Sequence, residues 1–437
     1  IAVIGDKNDL NLSFTQSERI ESLKLLKLAD EIFPLEGHSL DELIKKLKPS
    51  TLILGNEYQD NNLLKNSIKI QYKLGGKVKF HAGDVHYATS DLLEKSQEDL
   101  YQKRKSQFLS ACQNQNIKLN ELFNNIKKWE ETRLIVIGDT IVDQYMACEA
   151  IGMSAEAPVV VVRELENRNF IGGAGVVASH INALGAKCDL VSVIGDDETG
   201  KFVKNQLSNL GIGNSLVFDD TRPTTFKKRY LVENQKIFRV SRMNEHDISK
   251  EIEEKIINKL DNLATKAKGI VVSDFVYGVI TPRILDYLNY LSKKYNLFLF
   301  GDLQCSSQVG SILKFKNFSL LCPNEREARI ALQDKDCGLE HLSNNIIKKT
   351  GCKNLVMKIG SEGFISYERN KQNELNSQSF PALSINPIDV AGAGDSLLAL
   401  VATALSSGQS LMPTSSLACC IASIAVETMG NSSISST

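Results

Sequence analysis

The sequence is short of several features that would have narrowed its chemistry. No two of its nine cysteines stand in C-x-x-C spacing, which excludes the usual zinc and dithiol patterns and leaves reduced thiols in a cytoplasmic protein as the expectation. Net charge is −1, from 51 Lys and Arg against 52 Asp and Glu, so nothing in it calls for nucleic acid or an anionic membrane as partner. There is no apolar run long enough to cross a bilayer and no signal-peptide pattern. The only tryptophan, Trp129, reads as a packing anchor between domains rather than a ligand platform. An initiating methionine is missing too. The chain starts at Ile1 inside a strand-like run, and further residues are expected upstream. What is present is bulk: 437 residues, 42% hydrophobic, enough for two or three domains with large cores.

One stretch organises the rest, Asp389-Val-Ala-Gly-Ala-Gly-Asp395 followed by the apolar run Ser396–Leu405. Its small residues permit a tight turn with no bulky Cβ between backbone and ligand. The apolar run reads as a buried helix. Free N–H groups at such a helix start form an anion site. Gly392, Ala393 and Gly394 are then amides that steady a phosphoryl group in transfer, and Asp395 is the base that takes a proton from an attacking hydroxyl. The plainer reading is a glycine-rich turn capped by an aspartate.

Leu134–Asp139 is a strand ending in Gly-Asp, and Asp143 follows. Two close carboxylates suit hydroxyl-rich ligands, and they equally suit a turn and a helix cap. Gly172 and Gly173 open a helix with close backbone approach, for a ligand or for tight packing. The runs Leu190–Asp196, Gly269–Asp274, Leu297–Asp302 and Leu355–Gly360 are buried strands separated by helix-like segments. That order predicts a doubly wound α/β sheet with its ligands beyond the carboxyl ends of the strands. Ala157–Arg163, Thr224–Val232 and Lys236–Ser241, the last two hinged at Glu233–Gln235, predict a small separate sheet that covers the site and excludes water. Within it, Lys227, Lys228 and Arg229 form a basic cluster. It reads either as a seat for a sugar's phosphate or as a strand edge guarded by lysines.

Ahead of this region, strand-like runs at Ile1–Ile4, Thr51–Leu54 and Lys77–His81 alternate with helix-like runs at Ser17–Leu28, Leu40–Leu47 and Asn62–Leu74. That is βαβ order. Asp41 and Glu42 with Lys45 and Lys46 read as a solvated helix face. The polar stretch that follows predicts two amphipathic helices broken near Gln113–Ile117, with Gln102–Ser106 as another solvated face.

Together these residues resemble the PfkB/ribokinase family of carbohydrate kinases over 132–437. The likeness is nearest to the heptose 7-phosphate kinase half of bifunctional heptose kinase/adenylyltransferases. It rests on Gly138-Asp139…Asp143, Ser154–Val159, Gly172-Gly173, Ser273–Gly278, Cys322–Glu327, Lys358–Gly363 and Asp389–Asp395. The first segment is similar to a partial cytidylyltransferase-like domain through Arg19–Leu23, Ala29–Pro34, Leu47–Gly55, Gly75–Val78 and Tyr87–Leu93, with Thr89 and Ser90 at a loosely matched phosphate turn. It has no H-x-G-H at His38, His81 or His86. Its Leu54–Tyr58 loop lacks the family's lysine, so it is not expected to transfer nucleotides as it stands.

The resemblance implies an α/β fold: a ribokinase-like doubly wound sheet with a small β lid, preceded by a partial Rossmann-like nucleotidyltransferase α/β domain. The implied boundaries are 1–95, a helical connector at 96–131, and the kinase-like region at 132–437. It implies an ATP-dependent kinase acting on a sugar or sugar phosphate, with heptose 7-phosphate as the candidate acceptor, and a homodimer formed through the lid sheet. By position, Asp395 is the base and Gly392, Ala393 and Gly394 the anion hole. Asp139, Asp143, Gly172, Gly173 and Asp274 fall at sugar positions, and Lys358, Gly360 and Gly363 on the nucleotide loop. Asn324 and Glu327 place Mg²⁺ and the phosphates. Three departures stand out: Val176 replaces an asparagine, Asp302-Leu-Gln304 replaces Asp-Pro-Lys, and Ala391 replaces a threonine.

Overall fold

Helices of the N-terminal region start where their sequences direct. Thr15 accepts from the Glu18 N–H, and Glu18 reaches back to the Thr15 N–H, a reciprocal capping box. Ser39 caps Leu40–Leu47, whose acids come first and lysines last, with Ile44 facing inward. The computed structural model describes residues 1–4, 15–27, 29–35, 39–55, 64–82, 97–233, 235–305, 308–369, 375–430 and 432–434. They divide into one unit of Ile1–Ser96 with Asp334–Asn344, and another of Gln97–Gln333 with Asn345–Thr437.

In the first unit, β1 (Ala2–Ile4) pairs in parallel with β2 (Ile32–Pro34), and β3 (Thr51–Gly55) with β4 (Lys77–Ala82). The helices Gln16–Leu26, Leu40–Leu47 and Lys65–Lys73 lie between them in sequence, which gives the expected βαβ order. Asp41 does more than solvate a helix face: it accepts from Asn66 and Ser67, tying Leu40–Leu47 to Lys65–Lys73. His38, His86, Thr89, Ser90 and residues 56–58 of the Leu54–Tyr58 loop lie outside the described residues.

The larger unit is built on a nine-stranded sheet among the described residues. Its strands are β5 (Arg133–Gly138), β8 (Lys187–Val191), β10 (Gly213–Asn214), β14 (Gly269–Asp274), β15 (Phe298–Leu303), β16 (Leu320–Leu321), β17 (Asn354–Lys358), β18 (Phe364–Arg369) and β19 (Leu375–Phe380). The order is β10-β8-β5-β14-β15-β16-β17-β18-β19, parallel as far as β17 and antiparallel beyond it. The central strands are sealed: Leu134–Ile137 and Ile270–Val272 have no exposed surface. That is why they read as unbroken apolar runs rather than alternating ones. The helices Ala174–Ala183, Ala393–Ser406 and Leu411–Ala425 pack together against this sheet. The carboxyl ends of β5, β14, β15 and β17 deliver Asp139, Asp274, Asp302 and Lys358 to one edge, the edge at which such sheets bind ligands.

A separate four-stranded sheet has the order β13-β12-β6-β7, from β6 (Thr140–Met153), β7 (Val160–Gly173), β12 (Thr225–Val232) and β13 (Gln235–Arg242), while the short β9 (Val193–Ile194) and β11 (Val217–Phe218) pair in parallel with each other. This is the expected lid, with an additional long strand. β6 escapes a sequence reading because its first half is buried and its second half exposed, so no period of two survives. Of the proposed hinge, Asn234 lies outside the described residues.

The connector forms helices Gln97–Asn114 and Leu119–Ile126 within this same unit. Trp129, 2% exposed, belongs to this unit's main core. Arg104 departs from the solvated face expected of Gln102–Ser106: it donates to the carbonyls of Ser384 at 2.6 Å and Ser361 at 3.1 Å. Among the described residues no helix is long and apolar enough to cross a membrane.

Candidate active site

The helix Ala393–Ser406 begins at Gly392, whose φ of 84° lies in the left-handed region that favours glycine. Among the described residues no acceptor meets the N–H groups of Ala393 and Gly394, so two donors of the first turn face outward at the positive end of the helix. A Cβ on Gly394 would stand 3.2 Å from Lys358 Nζ. The missing side chain lets that ammonium reach the back of the turn. Lys358 donates to both oxygens of Asp302, at 2.8 and 2.9 Å. Burial opposes its charge, but Asp302 and then Glu327 hold the proton and push its pKa up.

Asp395, 5% exposed, sits at the base of this turn, and Gln304 Nε2 donates to it at 3.2 Å. Burial, then the charge of Asp302, pushes the Asp395 carboxyl up to about 7; Lys358 opposes this only in part. A carboxyl tuned to that range accepts a proton efficiently near neutral pH. Gln304, where the family resemblance expected a lysine, is thus a hydrogen-bond donor to Asp395. The cation in this neighbourhood comes instead from Lys358 on another strand.

Asn324 and Glu327 form a capping box at the start of Glu325–Leu332. The Glu327 N–H donates to Asn324 Oδ1 at 2.8 Å, and the Asn324 N–H to Glu327 Oε2 at 2.9 Å. The Cys305 N–H donates to the other Glu327 oxygen at 3.4 Å. Burial first, and then Asp302, push the Glu327 carboxyl up to about 7. Both Glu327 oxygens and the Asn324 carbonyl are therefore engaged with backbone. Among the described residues no group of three His, Cys, Asp or Glu side chains could hold a metal, so the pair does not fit a resident Mg²⁺ cage. Gly360 and Gly363, with φ of 63° and 97°, shape the tight loop after β17. A Cβ on Gly363 would collide with the Phe380 carbonyl at 2.1 Å. Arg104 grips this loop through Ser361.

The predicted sugar residues part company. Asp139 is spent on the loop after β14: one oxygen accepts from the N–H groups of Phe275 at 2.8 Å and Tyr277 at 3.3 Å, and the other from Val279 at 3.4 Å. Asp274 accepts from the Val276 N–H and pairs with Lys314. Both act on the shape of that loop. Gly173, at φ 59°, lies under the Asp139 carbonyl, 2.2 Å from where its Cβ would be, which is tight packing. Gly172 pairs with Ile141 at the end of β7. Asp143 is neither turn nor cap. It points from β6 toward Arg229, its ion-pair partner, and its charge reaches Asp395. Val176 is fully buried in its helix.

Sequence reasoning missed what Asp389 does. Buried at 4% exposure, it accepts from Tyr145 Oη at 2.7 Å and Lys236 Nζ at 2.7 Å, both on the lid, and from the Ala391 N–H at 3.0 Å. These contacts hold the carboxylate below its ordinary range despite burial. The lid is thereby latched to the turn that leads into Gly392–Asp395. Nothing local in the sequence signals this, since the partners come from β6 and β13. Lys236→Met is expected to lower kcat/KM about 10-fold by loosening the turn, with the thermal midpoint within about 4 °C of the parent. Unchanged kcat/KM in steady-state assays would dismiss the latch.

The sequence profile of the pfkB family carbohydrate kinases matches residues 131–437. Among curated proteins, the bifunctional protein HldE of Trichlorobacter lovleyi is 32% identical over 307 residues, covering 69% of this chain and 61% of its own. The corresponding protein of Campylobacter jejuni subsp. doylei is 29% identical over 309 residues, covering 70% and 63%. The chain thus spans less than two thirds of these relatives' length. Among solved structures, phosphofructokinase-2 from Escherichia coli in complex with substrates and products aligns with a TM-score of 0.57 at 15% identity, over 68% of this chain and 93% of that one. Ribokinase from Giardia lamblia aligns at 0.55 and 17%, over 69% and 96%. These alignments fix the fold as ribokinase-like, and with the profile covering the sheet, the lid and the Asp389–Asp395 turn, the chain belongs to the pfkB family of carbohydrate kinases.

Proposed function

We propose that residues 132–437 transfer the γ-phosphoryl group of ATP to a hydroxyl of a sugar or sugar phosphate. The observation that carries this is the pairing of a buried carboxylate, Asp395, with the outward N–H groups of Ala393 and Gly394. Asp395 takes the proton from the acceptor hydroxyl, and the freed alkoxide attacks the γ-phosphorus in line. The P–O bond to ADP breaks, and the turn amides hold the charge on the equatorial oxygens. Gly360 and Gly363 shape the loop for the nucleotide. Mg²⁺ is expected to arrive on the nucleotide's own phosphates rather than in a protein cage.

The HldE relatives make heptose 7-phosphate the first acceptor to try, with the 1,7-bisphosphate as product. Exposed Ile151, Met153, Val160, Leu165, Phe238 and Val240 on the lid sheet support a homodimer through that sheet. The free state of all nine cysteines suits a reducing cytoplasm.

Gln304 favours a second reading, a binding protein with weakened catalysis, because a neutral amide replaces the cation of the resemblance. An ADP-release screen over sugars and sugar phosphates decides between the two. Acceptor-dependent ADP supports the kinase; binding of sugar and ATP without ADP formation supports the sensor.

A further inference from the structure

The connector helix Gln97–Asn114 belongs to the larger unit from its first residue. Residues three or four apart lie on one face of a helix, so Arg104, Phe108, Ala111 and Gln115, just past the helix end, form a single stripe. That stripe is the packed one. Ala111 is part of the main core and Phe108 packs against it. Gln115 donates to the Gln378 side chain at 3.2 Å and accepts from Asn376 at 3.5 Å, both on β19. Leu411–Ala425 lies against the same helix.

Arg104 extends the stripe toward the N-terminus, and its hydrogen bonds there go to backbone. Nη1 donates to the Ser384 carbonyl and Nη2 to the Ser361 carbonyl, across 280 and 257 residues of chain. The two carbonyls belong to different parts of the site. Ser361 lies in the single turn Gly360–Glu362 between β17 and β18, the loop read above as the nucleotide's. One side of that loop is already fixed: Gly363 lies against the Phe380 carbonyl, and the Ile359 N–H donates to the Gly363 carbonyl at 2.9 Å. Ser384 lies in the stretch from β19 to Asp389 and the Gly392–Asp395 turn. One guanidinium therefore ties the loop after β17 to the approach of the transfer turn. A planar fork can serve two acceptors at once in fixed geometry, which a single ammonium on a flexible stem does poorly.

We propose that Arg104 is a positioning residue for the nucleotide, through which the connector helix forms part of the kinase site and sets how tightly ATP and ADP are held. This rests on the kinase reading above, with the loop after β17 on its nucleotide side. Arg104 touches no ligand in this role. It fixes the spacing between the loop that shapes the nucleotide's seat and the turn toward which the γ-phosphoryl group points, a spacing to which transfer is sensitive.

ADP with Mg²⁺ is titrated calorimetrically into the full chain as wild type, Arg104→Met, Arg104→Lys and Gln115→Ala. Arg104→Met should weaken ADP binding about 10-fold, and Arg104→Lys should recover only part of the loss. Gln115→Ala loosens the same helix against β19 without touching the loop, and its ADP affinity should stay within about 2-fold of wild type. In steady-state assays with heptose 7-phosphate, Arg104→Met should raise KM for ATP in the same proportion and leave KM for the acceptor unmoved. Unchanged ADP affinity in Arg104→Met overturns the inference and leaves the kinase reading standing wherever acceptor-dependent ADP is seen. An equal loss in Gln115→Ala overturns it too, since general docking of the helix would then account for the effect. If no acceptor turns over but ADP binding falls in Arg104→Met alone, the inference stands and only the phosphoryl-transfer reading falls. A wild type that binds no ADP removes both.

Discussion

Asp395→Asn is expected to lower kcat by on the order of 10²- to 10⁴-fold, the usual worth of a positioned general base, while ATP affinity stays near that of the parent. The asparagine keeps the shape of the carboxyl and can still accept from Gln304, but it takes no proton. The wild-type rate should follow the ionised form. With the carboxyl pushed up to about 7, kcat/KM should climb through about pH 7 and level off above it.

Stability runs the other way. A carboxyl raised in the folded state contributes stability while it is protonated. That contribution is lost as pH rises from its ordinary value of 3.8 through about 7. Above pH 7 the native protein therefore carries a buried charge that the asparagine variant lacks. Asp395→Asn should be the more stable protein at pH 8, by roughly a few kcal/mol, with the gap closing near pH 4. Thermal melts across that range, alongside single-turnover kinetics, test both halves. Comparable turnover in the variant would end the base assignment.

Legibility in the sequence depended on how local each feature is. Gly269–Asp274 was readable as a strand with its observed bounds because a fully buried parallel strand is an unbroken apolar run. The turn at Gly392–Asp395 was readable because consecutive small residues already dictate a tight helix start. Contacts between distant strands were not. Asp139 meets Phe275 across 136 residues, and Asp389 meets Tyr145 across 244. The sequence shows each of these acids without its partner. The same limit applied to Lys358. Position alone put it on a nucleotide loop, whereas its side chain turns inward to Asp302 and lies against Gly394. Asp41 and Arg104, expected on solvated faces, take partners from other parts of the chain, because hydrophilicity does not tell whether a partner waits in the fold, and Lys227 is buried.

Lys358→Met carries the other large effect. Lys358 is the cation that lowers the carboxyls of both Asp395 and Glu327, and Asp302, 1% exposed, has its ammonium on both oxygens. Removing one member of a buried pair strands the other charge, at a cost of about 3–5 kcal/mol. The loss should be worst above pH 7, where Glu327 and Asp395 ionise beside the stranded Asp302 without a counterion, and should ease as pH falls and those two take up protons. Because Asp395 loses the cation that offsets its burial, its pKa should move further up, and any residual rate profile should shift to higher pH. Asp302→Asn combined with Lys358→Met removes the stranded charge, so the double variant should regain most of the stability. On the proposed mechanism activity should not return with it, for the turn at Gly394 would still lack the positive charge of Lys358 as the phosphoryl group passes. Denaturant melts and kcat/KM measured on the four proteins of this cycle separate the two effects. If the double variant recovers rate together with stability, Lys358 serves only to neutralise Asp302.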